Sequence, residues 1–268
     1  MKKTTLAVLM ALAGQAQAVP NGQQERRSPA QEKTTMIAKA PKALIVVTSH
    51  PRLGNTGKPT GYYLSEVTHP YFELIAAGIA VDFASPQGGK APLDPNARDL
   101  SDEANRRFLE DPSLAGRLER TLPAEQINAA DYSAILYAGG HGTMWDFPEN
   151  TALSRAAASI YERGGVVAAV CHGPAALVNI GLSDGTFLVS GKRLTSFTNA
   201  EEEAAGLTAV MPFLLETRLR ERGARFEGAA NFSAHVVVSG RLVTGQNPAS
   251  AAGVGKAMAE LVRKSARP

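Results

Sequence analysis

The sequence predicts an α/β fold, a single domain with a doubly wound, mostly parallel sheet and a nucleophile elbow. From Ala43 onward, strand-like apolar runs alternate with segments of helical periodicity. The runs 43–48 (ALIVVT) and 166–170 (VVAAV) are apolar throughout, which is typical of parallel strands covered on both faces. The second run ends at Cys171-His172-Gly173-Pro174 and is followed by a helix-forming segment. Ligands of such sheets bind at the carboxyl ends of the strands.

The order of the elements follows from the positions of these patterns. The predicted strands occupy 43–48, 79–84, 133–138, 166–170 and 192–197, and a terminal hairpin joins 234–238 to 242–244 around Ser239-Gly240. The predicted helices occupy about 62–77, 150–163, 175–178, 201–206, 211–222 and 248–264. Gly78 ends the first helix. The polar segment 93–120 predicts a helical insertion with loops.

The first 40 residues are predicted to precede the domain. Two lysines, the apolar segment 6–14 and Ala16-Gln17-Ala18 follow each other in the order of a secretory signal peptide, which we assign to residues 1–18. The polar composition of 19–40 predicts a disordered linker, and 41–268 is the predicted α/β domain. The signal peptide predicts a periplasmic or secreted protein, and no later segment is apolar and long enough to predict a membrane span.

Charge and cysteine content argue against a nucleic-acid-binding protein and against a domain held together by disulfides. The formal net charge is +3, and Lys2 and Lys3 of the signal peptide supply two of these charges. The basic pI therefore does not indicate a nucleic-acid partner. Cys171 is the single cysteine, so the domain has no internal disulfide and depends on packing for its stability.

The setting of Cys171 predicts a reactive thiol. A side chain on a strand-to-helix turn is held out at the sheet edge, and the small residues Ala169 and Gly173 on either side leave room for the sharp turn. A helix N-terminus favours thiolate over thiol, so we expect the pKa of Cys171 to lie below about 8.5. The alternative is a small buried hydrophobic residue without chemistry. The strand-turn-helix context favours the reactive thiol.

Gly139-Gly140-His141-Gly142 follows another predicted strand. The segment lacks the Lys and Ser/Thr of a phosphate-binding loop and the spacing of a dinucleotide fingerprint. A tight turn alone would account for two glycines. Beside the elbow, the backbone N–H groups of Gly140 and His172 are candidates for an oxyanion hole.

Carboxylates and histidines elsewhere give weaker signals. Glu66 lies on the first helix, where a solvated carboxylate is the simplest interpretation, and 201–203 (EEE) form an acidic first turn that a helix dipole favours. His50, His69 and His141 match no metal-ligand spacing, so we predict neither a metal nor another cofactor.

Five motifs, in this order along residues 42–261, resemble the ThiJ/PfpI superfamily. They are Glu66 ahead of THPYFEL, then GGHG, AVCHGP, SFTNAEEE and LVTGQNPAS. The chain is most similar to the branch that contains glyoxalase III and heat-shock chaperone-like members. The resemblance implies a flavodoxin-like, class I glutamine amidotransferase-like fold. It also implies a catalytic Cys171 with an adjacent His172, a Glu66 that hydrogen-bonds the thiol, and an acid that orients the histidine, with Glu202 as the best match and Glu201 as the alternative.

The function implied by the resemblance is a cofactor-independent, glyoxalase III-like conversion of 2-oxoaldehydes to 2-hydroxy acids through the cysteine. Amidotransferases of this fold take their histidine from a downstream His-x-Glu, which this sequence lacks, so glutaminase activity is not expected. Two alternatives stay open: a redox-responsive protective protein or holdase chaperone without turnover, and a cysteine hydrolase or peptidase. The expected partner is a small aldehyde, and a homodimer is a further possibility. If Glu66 is ionised beside the thiol, it raises the pKa of Cys171 instead of lowering it.

Overall fold

The computed structural model describes residues 40–265, which form an α/β domain around a mostly parallel sheet. The predicted signal peptide (1–18) and nearly all of the predicted linker (19–40) lie outside the described residues and stay predictions. The strands in chain order are β1 (Lys42–Val46), β2 (Ala80–Ser85), β3 (Leu122–Pro123), β4 (Ala134–Tyr137), β5 (Val166–Val170), β6 (Arg193–Leu194), β7 (Arg225–Phe226), β8 (Val236–Ser239) and β9 (Leu242–Gly245).

The main sheet has the strand order β3-β2-β1-β4-β5-β9-β8. Every neighbouring pair is parallel except β8 and β9, which form the predicted terminal hairpin. β6 and β7 pair in a separate two-stranded parallel sheet. The predicted doubly wound, mostly parallel sheet is confirmed.

Helices cover both faces of this sheet. They are α1 (Ser65–Ala76), α2 (Glu103–Glu110), α3 (Pro112–Leu118), α4 (Thr143–Asp146), α5 (Thr151–Glu162), α6 (Asn199–Ala204), α7 (Leu215–Glu221) and α8 (Ala251–Ser265). Alternate residues of β5 enter two different hydrophobic cores. Val166, Ala168 and Val170 pack with α1 and α8, whereas Val167 and Ala169 pack with α5. Burial on both faces explains the uninterrupted apolar run, because neither side of the strand contacts water.

Three elements differ from the sequence predictions. The segment after the elbow, Gly173–Asn179, is a 3₁₀ helix and not an α-helix. The strand predicted at 192–197 is limited to β6, because its second half turns toward the elbow and Phe197 N–H donates to the Cys171 carbonyl oxygen at 2.8 Å. The helix predicted from Met211 begins only at Leu215, since Pro212 disfavours helical geometry in the residue before it. The predicted insertion is confirmed as α2 and α3. Within residues 40–265 no helix is long and apolar enough to cross a membrane.

Candidate active site

Cys171 lies at the carboxyl end of β5 in a strained backbone conformation. Its φ is +60°, in the left-handed region that a residue with a side chain rarely adopts. Two hydrogen bonds hold this turn: Cys171 N–H donates to the Gly245 carbonyl oxygen at 2.9 Å, and its own carbonyl oxygen accepts from Phe197. A Cβ added at Gly173 would lie 2.1 Å from the Tyr137 carbonyl oxygen, so this position tolerates no side chain. The sequence therefore folds into the sharp turn expected of an elbow.

Glu66 reaches the same place from the first turn of α1 and is fully buried. Its Oε2 accepts a hydrogen bond from the Gly139 N–H at 2.7 Å. Its Oε1 has no hydrogen-bond partner of normal geometry within residues 40–265, although the nearby Cys171 thiol shifts the pKa of the carboxyl group. Burial raises the pKa of Glu66 to about 8, against the opposing effects of Cys171 and the Gly139 N–H. The carboxyl group therefore exchanges its proton near neutral pH.

Gly139 has no room for a side chain. A Cβ there would lie 2.6 Å from Glu66 Oε2, 2.6 Å from the Val170 carbonyl oxygen and 2.8 Å from the His172 nitrogen. The glycine thus lets the loop after β4 pass between the carboxyl group and the elbow. A tight turn does not explain this requirement, which comes from the close approach of three chain segments.

His172 links the thiol to a second carboxylate. Its Nδ1 lies 3.3 Å from Cys171 Sγ, and its Nε2 lies 2.7 Å from Glu202 Oε2. Burial would raise the pKa of Glu202, but hydrogen bonds from His141 and His172 outweigh it and lower the pKa to about 2. Because the ionised carboxylate only accepts hydrogen bonds, the Nε2 that faces it carries a proton. Burial lowers the pKa of His172, so the ring is neutral and its unprotonated Nδ1 faces the thiol.

Glu201, the alternative acid, makes its hydrogen bonds to groups other than His172. Its Oε2 accepts from the Thr198 N–H at 2.9 Å and completes a capping box at the start of α6. Its Oε1 accepts from the Phe232 N–H at 2.7 Å and from the Asn247 side chain at 2.9 Å. The contacts of Glu201 therefore stabilise the helix that carries Glu202.

His141 is a residue that the sequence interpretation did not place in the site. Its Nε2 lies 3.2 Å from Glu202 Oε1, and its ring centroid lies 4.2 Å from that of His172. The GGHG motif contains this residue, but His141 and Glu202 lie far apart along the chain, so the sequence pattern does not indicate their contact. The other two histidines considered for zinc lie elsewhere: His50 stacks on Trp145, and His69 pairs with Asp102.

One candidate metal cluster is present in the described part of the chain around the site. His141, His172 and Glu202 offer ligand atoms that all lie within 4.8 Å of one another. Two imidazoles and a carboxylate suit a divalent cation. The sequence did not indicate this set, because its three members come from loops and a helix that meet only in the folded chain.

The expectation of a lowered pKa for Cys171 is wrong. Burial raises the pKa of the thiol well above its ordinary value, the negative charge of Glu66 raises it further, and the His172 N–H offsets only part of this effect. The segment after the elbow is a short 3₁₀ helix, which gives a weaker aligned dipole than the expected α-helix. The thiol therefore keeps its proton at rest, and His172 Nδ1 is the acceptor within reach.

The predicted oxyanion hole consists of the backbone N–H groups of Gly140 and His172. Within residues 40–265, neither Gly140 N–H nor His172 N–H donates a hydrogen bond to a backbone carbonyl oxygen. The His172 N–H stabilises a negative charge on Cys171 Sγ. Gly140 has a φ of +101°, and a Cβ there would lie 2.2 Å from the Gly61 carbonyl oxygen. The oxyanion hole formed by these two groups stays a prediction.

The site is narrow. Cys171 is 3% exposed and His172 is 1% exposed, whereas the His141 side chain is 22% exposed and marks the side open to solvent. A surface cavity of about 730 Å³ between Glu149, Arg155 and Arg222 contacts none of these residues. The arrangement thus suits a reactant of a few heavy atoms.

Comparisons with known proteins agree with this architecture. Residues 59–261 match the sequence profile of the DJ-1/PfpI family. A glutathione-independent glyoxalase of Saccharomyces cerevisiae is 34% identical over 227 residues, which cover 78% of this chain and 93% of that protein. Glyoxalase 3 of Candida albicans is 31% identical over 226 residues, covering 78% of this chain and 93% of that protein.

Solved structures show the same fold. The crystal structure of glyoxalase III from Candida albicans has a TM-score of 0.77 and 28% identity, and it covers 82% of this chain and 97% of its own. The Rapid Encystment Protein 24 kDa of Francisella tularensis has a TM-score of 0.80 and 40% identity, and it covers 83% of this chain and 99% of its own.

Proposed function

Because this chain belongs to the DJ-1/PfpI family, we propose that it is a glutathione-independent glyoxalase that converts 2-oxoaldehydes such as methylglyoxal to 2-hydroxy acids. Relatives named as glyoxalases match most of its length. One observation carries the proposal: the thiol of Cys171 lies beside both a buried carboxyl group with a near-neutral pKa and a neutral imidazole. The reaction requires a nucleophile, a base that moves a proton between two carbons, and a base that activates water.

The first step forms the carbon–sulfur bond. Cys171 Sγ adds to the aldehyde carbon while its proton passes to His172 Nδ1, 3.3 Å away. The aldehyde oxygen becomes negatively charged and binds the N–H groups of Gly140 and His172. Glu202 stabilises the imidazolium that forms, because its carboxylate accepts from the opposite ring nitrogen at 2.7 Å.

The second step moves a proton along the adduct. Glu66 in its ionised form removes the hydrogen of the former aldehyde carbon and returns it to the adjacent carbon through an enediolate. The proton held by His172 passes to the new hydroxyl oxygen, and the product is a thioester of Cys171. A pKa of about 8 suits both halves of this transfer near neutral pH, since the group gives up and takes back the proton at similar cost.

The last step cleaves the thioester. His172, again neutral, takes a proton from water, and the hydroxide equivalent adds to the thioester carbon. The carbon–sulfur bond breaks, and the proton returns from His172 to Cys171 Sγ. The balance is one 2-oxoaldehyde and one water consumed for each 2-hydroxy acid, without a redox partner or a cofactor.

The alternatives are less well supported by the site. A thiol that is 3% exposed and has a raised pKa is a poor redox sensor, because oxidation follows thiolate character and exposure. A peptide substrate needs a groove at the nucleophile, whereas His172 is 1% exposed. Suppression of protein aggregation that survives Cys171→Ala would instead support a holdase.

The test is an assay of the purified protein with methylglyoxal, glyoxal and simple amides, without added glutathione. We expect lactate from methylglyoxal, no turnover of amides, and no turnover of either aldehyde by Cys171→Ala. In D₂O, the enclosed Glu66 should transfer part of the hydrogen from the aldehyde carbon to C2 before that hydrogen exchanges with solvent. Part of the lactate should therefore carry hydrogen and not deuterium at C2. Lactate formation by Cys171→Ala, or lack of lactate with the folded wild-type protein, would contradict the proposal.

A further inference from the structure

Glu202 binds two histidines at once, one more than a cysteine–histidine–acid triad needs. His172 Nε2 lies 2.7 Å from one carboxylate oxygen, and His141 Nε2 lies 3.2 Å from the other. Both ring nitrogens therefore face the same carboxylate, and the three ligand atoms lie within 4.8 Å of one another. Two imidazoles and one carboxylate with an open fourth position form the donor set of mononuclear zinc sites in proteins.

The distances are close to those of such a site. With Zn–N and Zn–O bonds of about 2.0–2.2 Å, tetrahedral ligands lie about 3.3–3.5 Å apart. The nitrogen–oxygen separations of 2.7 Å and 3.2 Å run to the two different oxygens of Glu202 and are shorter than this, and no two of the three ligand atoms lie more than 4.8 Å apart. An ion can therefore enter after small side-chain rotations. His141 provides the access, since its side chain is 22% exposed whereas those of His172 and Glu202 are almost fully buried.

Metal binding would reverse the tautomer of His172. The proton now on Nε2 would move to Nδ1, because the ion takes the Nε2 lone pair and the ring stays neutral. Nδ1 lies 3.3 Å from Cys171 Sγ, so its new N–H would face the sulfur. The imidazole would then donate toward the thiol and lose the lone pair that accepts the thiol proton.

We propose that His141, His172 and Glu202 form an inhibitory site for a divalent transition metal such as Zn²⁺, which disables Cys171 by occupying His172 Nε2. The metal site itself is independent of the reaction catalysed. Its regulatory meaning rests on the proposed glyoxalase function. The ion would act on the thiol through the His172 ring, because it binds Nε2 and changes the hydrogen bonding of Nδ1, which faces Cys171 Sγ.

Calorimetric titration of the metal-free full-length protein with Zn²⁺ alone, followed by Co²⁺ as a spectroscopic probe, tests the site. We expect one ion per chain and a Co²⁺ spectrum of four-coordinate nitrogen and oxygen ligands. His141→Ala should weaken binding by more than the about 10–100-fold that loss of an outer-shell partner costs. His69→Gln, a histidine paired with Asp102 outside the cluster, is the matched control and should bind normally.

Two further measurements separate this site from a thiolate site and from the proposed activity. Cys171→Ala should keep the affinity for Zn²⁺. In the wild type, Zn²⁺ should slow iodoacetamide labelling of Cys171 by about 10²-fold or more, the typical contribution of a general base, and a chelator should restore it. Loss of binding in Cys171→Ala, a sulfur-to-cobalt charge-transfer band, normal binding by His141→Ala, or unchanged labelling would overturn the inference. A protein that binds Zn²⁺ as described but does not turn over aldehydes would refute only the proposed function.

Discussion

Replacement of Glu66 by Gln removes an ionisable group from the interior and keeps the shape of the side chain. The amide oxygen still accepts from the Gly139 N–H, as Oε2 does at 2.7 Å. The amide NH₂ takes the position of Oε1, which has no hydrogen-bond partner of normal geometry within residues 40–265. We expect the variant to be more stable than the wild type at neutral pH, because the wild-type carboxyl group cannot ionise in the folded state without losing its hydration.

The magnitude follows from the pKa of Glu66. Its ordinary value of 4.5 holds in the unfolded chain, and burial raises it to about 8 in the folded chain. Between these values the unfolded chain has lost the proton and the folded chain still holds it, so the wild type loses stability as the pH rises. Each pH unit costs about 1.4 kcal/mol, so the difference between variant and wild type grows by about 4 kcal/mol from pH 5 to pH 8.

Urea unfolding of both proteins at pH 5, 6, 7 and 8 measures this difference. Groups other than Glu66 are common to the two chains, so the change with pH isolates the one carboxyl group. Glu260→Gln, at an exposed position of α8, is the matched control and should follow the wild type at every pH. A difference that stays constant between pH 5 and pH 8 would show that Glu66 ionises normally, and the raised pKa on which the proposed proton transfer depends would be wrong.

Three further predictions concern the same cluster. In Glu66→Gln, iodoacetamide should label Cys171 at lower pH than in the wild type, because the carboxylate that repels the thiolate is gone. Turnover should fall by about 10²-fold or more, because the base that moves the proton between the two carbons is lost. Parallel changes in labelling and turnover would contradict these separate roles. Glu202→Gln should lower kcat by about 10²-fold or more, since the histidine beside the thiol loses the partner that sets its tautomer, and a near-normal kcat would refute the triad. The variant should also be less stable than the wild type at neutral pH, because the ionised Glu202, with its pKa lowered to about 2, stabilises the folded chain. Gly139→Ala should lower the unfolding free energy measured in urea by about 1–3 kcal/mol, because its Cβ would lie 2.6 Å from a carboxylate oxygen. Gly181→Ala is the control and should change the unfolding free energy little, because a Cβ there meets no atom within 4 Å. Equal losses in the two variants would disprove the steric argument.

The local elements of the site could be predicted from sequence because they depend on neighbouring residues. The run 166–170 is a buried strand with the predicted boundaries, and Cys171 turns out of it as expected. Six of the predicted strands, β1, β2, β4, β5, β8 and β9, belong to the main sheet, whereas β6 pairs with β7 elsewhere, and the short β3 and β7 were not predicted. Glu66 and Glu202 were identified only through the resemblance to a known family, since periodicity alone describes both as ordinary helix carboxylates.

The protonation state of the site was decided by the tertiary structure. The same strand-turn-helix pattern suggested a lowered pKa for Cys171, but complete burial and the Glu66 charge raise it. His141 joined the site because the loop after β4 and the start of α6 meet at Glu202, a contact between residues 61 positions apart. A sequence pattern records which residues share a helix or a strand. Desolvation and charge coupling depend on what surrounds a group from every direction, and that environment exists only in the folded chain.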